Sequence, residues 1–176
     1  MKRKLWRPLL IIALLLIAIA WGAAALARVP NATPFSDAIN VTVKNPSGSV
    51  HINSLKMVPQ IDRSLRSFFG KSYNSPMKVE VANDSSSEAY LGLYTYANSG
   101  RVGLYSPGAC AWTEVIAVPP HWSGTQEFSV RHLRFAYGGS LQIQLGVCRT
   151  PRNPNGIFLP DDATVVFEKT YPLVKE

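Results

Sequence analysis

Leu9 to Ala27 is a run of nineteen residues without a single charge. Whatever the rest of the chain does, this segment must find an apolar surround. As a helix rising 1.5 Å per residue it is about 28 Å long, close to the ~30 Å hydrocarbon thickness of a bilayer. Pro8 stands at the first helical position, where its missing N–H costs little. Trp6 and Trp21 suit the two interfaces, and Lys2, Arg3, Lys4 and Arg7 precede the run while only Arg28 follows it closely. Positive charge stays on the cytoplasmic side. The expectation is a single-pass signal anchor over residues 1–27, held in the membrane by residues 9–27. The N-terminus is then cytoplasmic and the remainder extracytoplasmic, whether periplasmic, extracellular or luminal. Ala25-Leu26-Ala27 also fits a signal-cleavage site, and the competing reading is a secreted domain beginning at Arg28.

The formal charge of +7 would suggest a nucleic-acid partner if it were spread over the domain. It is not. From residue 29 onward thirteen Lys plus Arg face eleven Asp plus Glu, which leaves +2. No basic run survives there, so no nucleic acid is expected as a partner.

Residues 28–37 contain Pro30 and Pro34 and read as a short extended linker. Beyond it, short alternating runs recur with turn residues between them. Ile39, Val41 and Val43 alternate with polar residues, Asn45-Pro46-Ser47-Gly48 is a turn, and Val50 and Ile52 begin the return strand. Ile61, Leu65, Phe68 and Phe69 fall on one helical face between Pro59 and Gly70, which predicts one short helix. Strand signals follow at Met77–Ala82, Glu88–Tyr96, Arg101–Tyr105, Ala111–Val118, Glu127–Arg131, Leu141–Val147 and Thr164–Lys169. Gly138-Gly139 reads as a hairpin turn, and the proline-rich residues 149–162 as a long loop. Eight or nine short strands without helical crossovers predict an antiparallel β-sandwich of immunoglobulin-like or jelly-roll type over residues 38–176.

Cys110 and Cys148 are the only cysteines. In an exported domain they are expected to form a disulfide, which would close a loop worth roughly 4 kcal/mol. Trp112 beside Cys110 resembles the surroundings of an immunoglobulin disulfide, but the Cys-Trp-Cys spacing does not match that family. Asn31, Asn40 and Asn83 head N-x-S/T sequons and are possible glycosylation sites.

Catalytic patterns are lacking. His51, His121 and His132 show no metal-ligand spacing, and no nucleophile elbow or phosphate loop occurs. Asp84 with Glu88, or Asp161-Asp162, could supply oxygen ligands to calcium, but solvated loop acids are the plainer reading. Neither a metal nor any other cofactor is expected. The chain is therefore read as a non-enzyme. A small sandwich hydrolase would need Glu80, Glu114 and Glu127 to converge in one cleft.

The most distinctive feature outside the core pattern is aromatic. In a strand Tyr90, Gly92, Tyr94 and Tyr96 share one face while Leu91, Leu93 and Thr95 share the other. The leucines suit a core, which leaves the tyrosines facing outward or toward a second layer. With Trp122 they form the candidate binding surface, Tyr90, Tyr94, Tyr96 and Trp122. The leading functional expectation is a membrane-anchored sandwich that binds protein partners as an accessory subunit of a membrane or cell-surface assembly. The alternative is a secreted carbohydrate-binding module using the same aromatics.

Overall fold

A computed structural model of the chain describes residues 6–27, 33–59, 72–99, 108–133, 139–151 and 158–172. The chain divides into two units, Met1–Pro30 and Asn31–Glu176. The first holds one helix, α1 (Trp6–Ala27), of 22 residues. Leu9, Leu16, Ile19 and Trp21 are all well exposed on it. Among the described residues no helix is long and apolar enough to cross a membrane. The expected membrane span is not found among them.

The second unit is two antiparallel sheets of four strands each. The strands are β1 (Phe35–Asn45), β2 (Gly48–Met57), β3 (Ser72–Asn83), β4 (Ala89–Ser99), β5 (Gly108–Val118), β6 (Trp122–Leu133), β7 (Ser140–Cys148) and β8 (Thr164–Pro172). One sheet has the order β1-β2-β3-β6 and the other β5-β4-β7-β8. β3 pairs with β6, and β4 with β7. Here β2 lies between β1 and β3. The expected linker ends earlier than predicted, since β1 begins at Phe35. The helix expected between Pro59 and Gly70 lies outside the described residues.

One core lies between the sheets. Val50, Ile52, Leu55, Met57, Val79 and Phe128 come from the first sheet, and Leu91, Leu93, Leu141, Ile143 and Leu145 from the second. Each set follows the two-residue strand period, with one instructive break. Val50 and Ile52 are even-numbered while Leu55 and Met57 are odd, and the pairing of β2 with β3 shifts between Ile52 and Ser54. That bulge adds one residue and turns the second pair of apolar side chains back to the core. Pro76 is accommodated in β3 because β2 pairing stops at Met57↔Met77, so on that side no ladder partner needs the missing N–H.

Two further expectations fail. Gly138-Gly139 was expected to turn a hairpin, but β6 and β7 belong to different sheets and so are not hairpin partners; Gly138 itself lies outside the described residues. The disulfide also fails, and both cysteines are free. Cys110 pairs across from Ala97 and Cys148 across from Tyr90. They flank the same strand seven residues apart, roughly 23 Å at strand rise, against the ~6 Å between bridged Cα atoms.

Candidate functional site

β4 presents its residues as the alternation predicts. Leu91, Leu93, Thr95 and Ala97 are fully buried, and Tyr90, Gly92, Tyr94 and Tyr96 take the opposite face. Gly92 lies directly across from Gly146 of β7. Two facing glycines leave a notch in the outer surface, and Leu159 fills it. A Cβ on Gly92 would stand 2.8 Å from Leu159 Cδ2, and one on Gly146 would stand 3.2 Å from Leu159 Cδ1. Leu159 and Pro160 are buried although the segment reads as loop. Next to it Phe158 stacks on Tyr94, with centroids 5.6 Å apart and planes inclined by 29°.

The outer face of the second sheet is thus an aromatic ridge of Phe158, Tyr94 and Tyr96, with Phe158 60% and Tyr96 37% exposed. Gln144 and Gln142 lie across from Tyr94 and Tyr96, and the Gln142 amide donates to Glu168 at 2.8 Å. Burial raises the Tyr94 phenol, with a smaller contribution from Tyr96. Tyr90 donates to the Glu88 carboxylate at 2.6 Å, and that bond raises its phenol in turn. Trp122 is not part of this surface. It sits on β6 of the other sheet, half-buried and packed on the core. The structure therefore unites Tyr90, Tyr94 and Tyr96 and separates Trp122 from them. Phe158 and Leu159 were the missed members. Their signal was an apolar pair inside a proline-rich stretch, opposite a glycine in a tyrosine-rich strand.

The acidic candidates do not converge. Glu80 accepts from Ser54 at 2.8 Å, Glu127 faces Lys78 at 3.8 Å, and Glu114 accepts the Ser129 N–H at 2.9 Å. Asp162 accepts the Arg149 N–H and the Thr150 hydroxyl at 3.0 and 3.1 Å. His51 bridges Asp84 at 2.8 Å and the Thr42 hydroxyl at 2.9 Å. Among the described residues no group of three or more His, Cys, Asp or Glu is arranged to hold a metal ion.

The sequons differ in kind. Asn31 lies outside the described residues. Asn40 is exposed, with φ of 52°, at the β1 irregularity between Ala38 and Val41. Asn83 is fully buried, and its amide donates to the carbonyls of Ser87, Val118 and Pro119. Its Oδ1 accepts from Ser85 through both backbone and hydroxyl. The folded chain offers no free amide at Asn83 for a glycan. This residue is instead the hub that ties the β3–β4 crossing to the end of β5. Gly48 permits the close approach there, since a Cβ on it would stand 2.5 Å from Ser85 Cα and its φ is +150°.

No family model matches this chain, and no curated protein matches it either.

Proposed function

We propose that this chain is a non-enzymatic, membrane-anchored binding module. α1 is its single span, the N-terminus is cytoplasmic, and the sandwich is extracytoplasmic. Its partner is a protein, engaged through the ridge of Tyr94, Tyr96 and Phe158, as expected of an accessory subunit in a membrane or cell-surface assembly. The observation that carries this reading is α1 itself. A helix of 22 residues with exposed leucine, isoleucine and tryptophan along its length needs an apolar surround. In the sequence the uncharged run Leu9–Ala27, about 28 Å as a helix, matches the ~30 Å of a bilayer core. The ridge supports the second half of the reading, because aromatic side chains offer large contact area at low entropic cost.

The test is purification from the native membrane in mild detergent, followed by native mass measurement. An intact residue-1 N-terminus in a particle far above the chain's own 19.3 kDa is the expected result. A free monomer that begins at Arg28 overturns it.

A further inference from the structure

A concavity lies away from the tyrosine ridge, where the edge of β5 meets the edge of β6. It encloses about 360 Å³ and is lined by Asn74, Trp112, Glu114, Ser129 and Arg131. Its members are placed by strands, which hold side chains more rigidly than loops do. Asn74 and Arg131 are register partners on β3 and β6. Ser129 stands two residues before Arg131, and Trp112 and Glu114 stand two apart on β5, so each pair shares a face. The Arg131 guanidinium lies over the Trp112 ring at 5.8 Å. Glu114 spans the gap, with Oε2 accepting the Ser129 N–H at 2.9 Å. Trp112 is 39% exposed, an unusual place for an indole on the core-facing side of a strand.

We infer that this concavity binds one neutral hexopyranose, the terminal or exposed sugar of a glycan. A pyranose has a C–H-rich face that covers an indole and a rim of neighbouring hydroxyls that both donate and accept. The lining offers the matching set. Trp112 supplies the plane. Asn74 supplies an exposed amide. Glu114 retains Oε1 as an acceptor, and Ser129 a hydroxyl. One cation and one carboxylate leave the lining without net charge, which favours a neutral sugar over an acidic or phosphorylated one. A nucleotide would stack equally well, but its phosphates would meet Glu114 with a single guanidinium to offset them. The volume lies at the small end of ligand sites and admits one ring. This site shares no residue with the ridge, so the two proposals stand or fall apart.

The experiment titrates the full chain, in a detergent without a sugar headgroup, with methyl glycosides of glucose, galactose, mannose and N-acetylglucosamine. Saturation-transfer NMR on the sugar and tryptophan fluorescence are the readouts. At least one glycoside is expected to bind at about millimolar affinity, the range for one ring of a dozen heavy atoms. Trp112→Ala is expected to weaken it at least about tenfold, Asn74→Ala about three- to tenfold, and Trp112→Phe only a few-fold, because the ring plane is kept. Tyr94→Ala with Tyr96→Ala should leave it unchanged. The proposal is overturned if no glycoside gives a signal at about 50 mM. It is equally overturned if Trp112→Ala binds as the parent does, if only charged sugars bind, or if binding is lost with the tyrosines instead.

Discussion

Along the side where β1 meets β8, Phe35 and Tyr171 stack with centroids 3.8 Å apart and planes within 10°. Asp37 accepts from the Tyr171 hydroxyl and from Lys169, the latter at 2.8 Å. Along the opposite side, where β5 meets β6, the links are mainly polar, with the Arg131 guanidinium over the Trp112 ring. Glu114 holds one backbone N–H, and the Gln126 amide reaches the Ala117 carbonyl at a long 3.4 Å. Both sides join an edge strand of one sheet to an edge strand of the other. One is filled by aromatic rings, with Tyr171 only 5% exposed. The other keeps a concavity of about 360 Å³. Where a sandwich closes on itself with apolar surface, that seam contributes to stability. Where it closes with single polar bonds, room remains for a ligand.

The comparison breaks most easily at the rings. Tyr171→Ala removes a buried ring and leaves a cavity beside Phe35, a loss of about 3 kcal/mol. That corresponds to roughly 8 °C in Tm for a domain of this size. Trp112→Ala on the open side should cost less, about 1–2 kcal/mol, since 39% of that residue is already exposed. Thermal melts of the two variants decide the matter, and equal losses would show that the seams do not differ in this way.

The same seam should carry a pH signature at both ends of the scale. Lys169 first, and then the Tyr171 hydroxyl, hold the Asp37 carboxyl below its ordinary 3.8. The unfolded chain therefore binds more protons near pH 4. The Asp37 contribution is complete above that value and fades as pH falls through the lowered one. Tyr171 moves the other way, its phenol raised by burial first and by Asp37 second. Its contribution is complete below pH 10 and fades above it, as the unfolded phenol ionises. Denaturant titrations across pH should show Asp37→Asn flattening the acid limb. Tyr171→Phe should flatten the alkaline limb. Persistence of both slopes in the variants would remove the seam as their source.

The cysteines extend the contrast along one sheet. Cys110 is half-buried on β5, beside the open seam, while Cys148 is buried beside the Gly92 notch that Leu159 fills. Burial, with Asp162 nearby, pushes the Cys148 thiol up to about 12. A brief N-ethylmaleimide pulse at about pH 8 should therefore label Cys110 and largely spare Cys148. Leu159→Ala should expose the second thiol. A Cys110–Cys148 bridge in a non-reducing peptide map would contradict the strand register.

What the sequence made legible was local. Leu91 and Leu93 faced the core and the tyrosines faced out, because side-chain alternation is a property of a single strand. Which strands share a sheet is not such a property. Nothing near Gly138-Gly139 distinguishes a hairpin from a crossing between sheets, and the spacing of Cys110 and Cys148 says nothing of the strand that separates them. The bulge at Asn53 was equally hidden, although the switch from Val50 and Ile52 to Leu55 and Met57 carried it. Trp112 was noticed as a neighbour of Cys110. Its meeting with Asn74 and Arg131 depends on β3, β5 and β6 coming together from distant parts of the chain.

The smallest effect offers the sharpest test of the open seam. Glu114 holds the Ser129 N–H in a charge-assisted bond at an edge that water can reach. Glu114→Gln keeps an acceptor oxygen at that point and should leave stability within about 0.5 kcal/mol of the parent. Glu114→Ala removes the acceptor, and water takes its place at a cost under about 1 kcal/mol. Global melts would barely register either change, but amide exchange at Ser129 would. It should quicken several-fold in the alanine variant and much less in the glutamine one, while amides of β8 keep their protection. If β8 amides quicken as well, the two seams open as one cooperative unit, and the division between a sealing side and a binding side fails.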